Sequence, residues 1–183
     1  MEDTIKVPHP GGPTDIYYIV FRTTWDGKNY VYALSEKKKP TDFAIPRVCV
    51  VEPDGTYNNG ILWDVEKRIS DLYKEYLQVV QQRIKEYHTE ITAWSGGLFS
   101  RPISYDVVFK TNVNGKTYVV AKGQSKPDLR VYSERENGLR DLVISNAEAD
   151  AIEKIYWNSF NKEQKTARQP KAEEYHDKDD DLF

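Results

Sequence analysis

Tyrosines and cations recur at matched places in this chain. Arg22, Lys28, Tyr30 and Tyr32 lie along one short stretch, and Lys110, Lys116 and Tyr118 lie along another. Rings that stand outward beside cations suit unpaired nucleic acid, because bases stack on aromatic faces while phosphates meet the positive charge. Lys37, Lys38 and Lys39 form a loop run that could rim such a surface. At the far end, Asp179, Asp180 and Asp181 precede Leu182 and Phe183. A chain ending in carboxylates and a bare ring suits insertion into a partner pocket ringed by Lys and Arg.

Other chemistry has little to work with. There is no Gly-rich phosphate loop, paired-histidine motif or G-x-S-x-G sequence. His9, His88 and His176 are far apart, so no metal or other cofactor is expected. Cys49 is a lone cysteine within Val48-Cys49-Val50-Val51, which reads as an inert buried thiol and rules out an intrachain disulfide. The chain is therefore not expected to be an enzyme. No apolar run approaches the roughly 20 residues that cross a bilayer, and Met1 to Pro13 lacks the apolar stretch of a secretory signal. The expected location is a cytoplasm, bacterial or that of an infected host.

Charge is uneven. Over 183 residues the formal net charge is −3, yet residues 171–183 hold six acids against two bases, leaving the first 170 near neutral. A near-neutral body can still carry a local basic face, since binding depends on where charges sit.

The elements that must position these residues come in a pattern written twice. YYIVFRTTWDGKNYVYA (17–33) and YDVVFKTNVNGKTYVVA (105–121) match at nine of 17 positions at an offset of 88. Asp26-Gly27 and Asn114-Gly115 predict type I′ hairpin turns between β-branched and aromatic flanks. Lys39-Pro40 and Lys126-Pro127 follow as loops. Third strands are expected near 44–52 and 129–133, and short fourth strands near 60–63 and 139–144. Val65, Ile69, Leu72, Tyr76, Val80, Ile84, Tyr87, Ile91 and Trp94 then predict a long helix, with Asp64 as N-cap and Gly96-Gly97 as the stop. About 28 residues would span about 42 Å, so its end should reach the second unit or a partner chain. Ser145-Asn146-Ala147-Glu148 is a capping-box pattern that opens a second helix carrying Ile152, Ile155, Tyr156 and Phe160.

The fold class expected is α+β, two tandem ββββα repeats with antiparallel sheets packed on helices. The layout is an extended arm at 1–15, units at 16–97 and 98–165, and a disordered acidic tail at 166–183. Strand alternation places Tyr17, Ile19, Phe21 and Thr23 with Tyr30 and Tyr32 on one face, and Val20, Arg22, Val31 and Ala33 on the other. The small Val/Ala face would admit the helix, leaving the aromatic face open. In the competing reading, Phe21 and Phe109 are core.

Asp179-Asp180-Asp181-Leu182-Phe183 resembles the acidic C-terminal tip of bacterial and phage single-stranded DNA-binding proteins. That resemblance implies recruitment of replication, recombination and repair proteins, and competition of the tip with DNA for the protein's own basic surface. The doubled order of the body is similar to the PUR-repeat and Whirly families, which bind single-stranded nucleic acid on sheets. Together they imply a sequence-tolerant binder of single-stranded DNA, or RNA, with a phage origin and with repeats pairing in one chain or across a homodimer. The alternative is an adaptor or host-factor inhibitor that uses the tip without touching DNA.

Overall fold

The computed structural model describes residues 4–8, 12–36, 43–94, 102–124 and 128–167. Lys37, Lys38 and Lys39, the two Lys-Pro pairs, Gly96-Gly97 and the tip Asp179–Phe183 lie outside these; of the expected tail at 166–183, only 166–167 are described, and they belong to a helix. The architecture is α+β. One antiparallel meander runs β1 (Thr4–Val7), β2 (Asp15–Trp25), β3 (Lys28–Ser35), β4 (Pro46–Val51) and β5 (Tyr57–Asn58), and α1 (Trp63–Tyr87) follows it. The second runs β6 (Glu90–Trp94), β7 (Pro102–Val113), β8 (Lys116–Gly123), β9 (Leu129–Glu134) and β10 (Arg140–Leu142), followed by α2 (Asn146–Ala167).

Each sheet thus has five strands, where four were expected. The added edges come from the arm and from the predicted helix end. Thr4–Val7 pairs with β2, so part of the arm is sheet. The α1 helix stops at Tyr87, where His88 turns left-handed at φ 42° and donates its N–H to the Ile84 carbonyl. Ile91 and Trp94 therefore sit on β6, not on the helix. Their spacing fits a helix, but Ile91 and Ala93 also alternate, and pairing with Tyr105 and Ile103 of β7 satisfies their backbone groups. Asp64 lies in the first turn of α1, and Leu62 is the N-cap, without a side-chain bond. The strand expected at 60–63 falls instead at Tyr57–Asn58, the last of the first sheet, and beyond it Asn58 Oδ1 accepts the Gly60 N–H at 2.9 Å as the chain turns toward the helix.

The hairpin turns are as expected. Asp26 and Gly27 have φ of 48° and 72°, Asn114 and Gly115 of 52° and 79°. Glycine takes the second place because that conformation is strained for residues with a Cβ.

A register shift decides which face is which. Ile19 pairs with Ala33 but Phe21 with Tyr32, leaving one extra residue on β2. The same step separates Val107 and Phe109 on β7. A bulge reverses the alternation beyond it. Tyr17 and Ile19 thus share a face with Ile5, Val31, Ala33 and Cys49, while Phe21 joins Tyr30 and Val48 on the face toward the helices. The expected placement is inverted, and the aromatic face receives the helices. The helices bring their own rings: Phe21 stacks on Tyr76 at 5.1 Å and meets Phe160 edge-on at 5.4 Å. Aromatic groups bury more apolar area than Val/Ala, so this choice removes more surface from water.

Both helices cross between the sheets. α1 packs on β2, β3 and β4 and also on β7, and α2 packs on β8 and β9 and also on β2. The Tyr76 and Tyr156 hydroxyls, 2.8 Å apart, join the helices inside this shared core.

Candidate functional site

Among the described residues, five of the seven expected to hold a single strand, Tyr30, Tyr32, Tyr118, Lys110 and Lys116, are engaged within the fold. Tyr30 is 5 % exposed and Tyr118 7 %. Burial, then Asp26, raises the Tyr30 hydroxyl above its ordinary value. Tyr32 is half-buried and stacks on Tyr73 at 4.3 Å and 20°, and burial, then Tyr32, lifts Tyr73 to about 12. These three tyrosines form no open row; all three stand on the face that meets the helices. Arg22 is half-buried.

The cations on the second sheet are engaged by carboxylates. Lys110 lies 3.3 Å from Glu134, which also takes Arg140 at 2.7 Å. Burial works against the Glu134 charge, but Arg140 and Lys110 hold its carboxyl below the usual range. Lys116 sits 2.9 Å from Glu148 and 5.0 Å over the Tyr118 ring, and the Tyr118 hydroxyl donates to the same carboxylate. Tyr118, then Lys116, lowers Glu148, and Glu148 in turn raises Lys116. Hence Glu148 completes only half a capping box: its N–H donates to Ser145 Oγ at 3.4 Å, while its carboxylate faces the sheet. A groove of about 620 Å³ passes Lys116, Thr117, Ser133, Glu134, Arg135 and Asp141, and there Arg135 bonds Asp141 at 2.6 and 3.0 Å. With Glu136, its charged lining is two bases and three acids. Lys28 is exposed at its hairpin tip.

The faces turned away from the helices carry an arrangement that sequence reasoning missed. On the first sheet, the Arg47 guanidinium lies over the Tyr17 ring at 4.7 Å, and its terminal nitrogen is 3.5 Å from the Tyr17 hydroxyl. On the second, Arg130 lies over the Tyr105 ring at 4.6 Å. The positions correspond. Arg47 stands opposite Ala33 and Arg130 opposite Ala121, and each tyrosine lies two residues before the first residue of its strand's register step. The signal was present as Arg-Val in both third strands, Arg47-Val48 and Arg130-Val131, but without the register nothing ties those arginines to Tyr17 and Tyr105.

The two differ in their neighbours: Tyr132 stands in the second sheet where Cys49 stands in the first, and the second has a carboxylate that the first lacks. Asp128 Oδ2 accepts the Tyr105 hydroxyl at 2.8 Å and lies 3.7 Å from Arg130 Nε. Burial, then that bond, raises the Tyr105 hydroxyl well above its ordinary value. The first sheet has Ile45 in that place: Ser35 N–H donates to the Ile45 carbonyl as Gly123 N–H does to that of Asp128. Ile45 is 61 % exposed. Arg47 Nε is buried and has no hydrogen-bond partner. Beside it, burial pushes the Cys49 thiol up while Arg47 draws it down. Near the second pair, Asp128 Oδ1 and the Tyr132 hydroxyl are also buried without partners. Burial lowers Lys122 against the pull of Asp106 and Asp128.

Among the described residues no cluster of three His, Cys, Asp or Glu side chains could hold a metal ion, and no helix is long and apolar enough to cross a membrane. Comparisons with protein-family models, curated proteins and solved structures find no match.

Proposed function

We propose that this chain is a protein-interaction adaptor, whose ending Asp179–Phe183 engages a replication or repair protein and whose folded body carries that ending without holding DNA on its aromatic rows. One observation carries the choice: Tyr30 and Tyr118 are sealed against the helices, and Lys110 and Lys116 are matched by Glu134 and Glu148. A strand needs open rings and uncompensated cations, and here the rings and those two lysines are committed to the fold. The ending keeps the chemistry of a docking peptide, with carboxylates for a basic rim and a ring for a pocket. The test is competition. The full chain is expected to displace a labelled single-strand-binding tip peptide from a repair protein that receives such tips, and deletion of residues 172–183 to abolish this. Labelled oligo-dT should stay free at low salt. Displacement that survives the deletion would refute the reading.

Single-stranded DNA binding remains the second reading, and it now rests on another place. Trp63 is 73 % exposed, with Lys67 Nζ 5.4 Å over its ring, a ring-and-cation pair on which a base can stack. Salt-sensitive binding of oligo-dT that Trp63→Ala weakens would favour it. We further propose that the chain is internally duplicated. The 88-residue offset, the equal strand order and the matched register steps support two tandem units, each of five strands and a helix.

A further inference from the structure

We infer that the Arg47–Tyr17 pair is a receptor for a carboxylate brought from outside the fold. The second sheet shows what this geometry accepts. There a guanidinium lies over a tyrosine ring at 4.6 Å, and one carboxylate oxygen accepts the tyrosine hydroxyl at 2.8 Å and sits at ion-pair distance, 3.7 Å, from the arginine Nε. The first sheet repeats the guanidinium and ring at 4.7 Å and repeats the facing alanine, but Ile45 stands where Asp128 supplies the carboxylate. The orphaned atom is the counterpart of the one that lies nearest the carboxylate in the second sheet: Arg47 Nε is buried with no hydrogen-bond partner, while Arg130 Nε has Asp128 Oδ2 at 3.7 Å.

A buried donor left without a partner is costly, and a charge-assisted bond to a carboxylate would satisfy it. Arg47 is half-buried, so part of it stays in reach of solvent. The surrounding Ile5, Ile19, Val31, Ala33 and Cys49 keep water from one side and strengthen whatever ion pair forms there. A small carboxylic acid and an aspartate on a bound peptide share this chemistry. The inference is independent of the tail: it concerns the first sheet alone and survives if the ending binds nothing.

The experiment follows the arginine Nε–H signals of the full chain by ¹H–¹⁵N correlation spectroscopy. Sodium acetate and a blocked Gly-Asp-Gly peptide replace sodium chloride at constant ionic strength. The Arg47 signal is expected to shift saturably with at least one carboxylate, and the pair of probes shows whether a free acid or a peptide-borne aspartate is preferred. Arg130 should stay still. Ile45→Asp supplies the missing group within the chain and should weaken the response about tenfold or more, the scale of one hydrogen bond to a charged group. Asp128→Ala should make Arg130 respond. An Arg47 signal indifferent to both carboxylates would overturn the inference. So would an unchanged response in Ile45→Asp, or a stronger response to inorganic phosphate than to either carboxylate.

Discussion

The two sheets have the same strand order, the same register step and the same arginine over the same kind of ring, yet their surfaces are chemically different. The second sheet compensates its cations: Asp128 answers Arg130, Glu134 answers Lys110 and Arg140, and Glu148 answers Lys116. The first leaves Arg47 Nε without a hydrogen-bond partner and has exposed Ile45 where the second has Asp128. Backbone register fixes where a side chain stands, whereas single residues at loop positions, such as Ile45 against Asp128, decide whether its charge is answered. Equal topology therefore does not make equal sites.

The comparison can be broken first at the shared core. Phe21 is fully buried among Tyr76, Phe160 and Trp157, whereas Phe109 is half-buried against Tyr156. Phe21→Ala is expected to cost about 3–5 kcal/mol in urea unfolding, and Phe109→Ala clearly less. Equal losses would mean that the halves bury their rings alike.

Next in size is the tyrosine hydroxyl. Tyr105→Phe takes from Asp128 its bond to a buried hydroxyl, next to an oxygen that already lacks a partner, and should cost about 1–3 kcal/mol. Tyr17→Phe removes only a 3.5 Å contact with Arg47 and should cost less than about 1 kcal/mol. Thermal unfolding of the two variants side by side reads the difference, and a larger loss in Tyr17→Phe would contradict the assignment of the carboxylate to the second pair.

The smallest effect expected is a pH dependence. Glu134 and Glu148 titrate below their ordinary values in the folded chain. A folded pKa below the unfolded one adds stability that is complete above the unfolded value, about 4.3, and is lost as pH falls through the folded one. Stability measured from pH 6 downward should therefore decline in the acid range, and Glu134→Gln should flatten part of that decline. Both carboxylates are partly exposed and screened, so the slope should also shrink in high salt.

Much of the fold was legible in local sequence. The Asp-Gly and Asn-Gly turns, the strands beside them and the start of the second helix follow from backbone preferences of a few neighbouring residues. The fifth strand of each sheet was not, because edge pairing depends on a neighbour distant in sequence: Ile91 becomes a strand residue only when Tyr105 lies beside it. The site was less legible still. Arg47 and Tyr17 are 30 residues apart, Arg130 and Tyr105 are 25 apart, and neither spacing is a motif.

The turns, the strand-forming stretches and the amphipathic helices follow from the chemistry of a few adjacent residues and could be read from the amino-acid sequence alone. Which face met the helices was decided only in the tertiary structure. One unpaired residue at each register step reverses the alternation, and its cost is met by burying Phe21, Tyr30 and Tyr118 against rings that arrive from both helices. That same step set Tyr17 on the opposite side, beneath Arg47, while Tyr30, Tyr32 and Tyr118 face the helices through the unbroken alternation of β3 and β8.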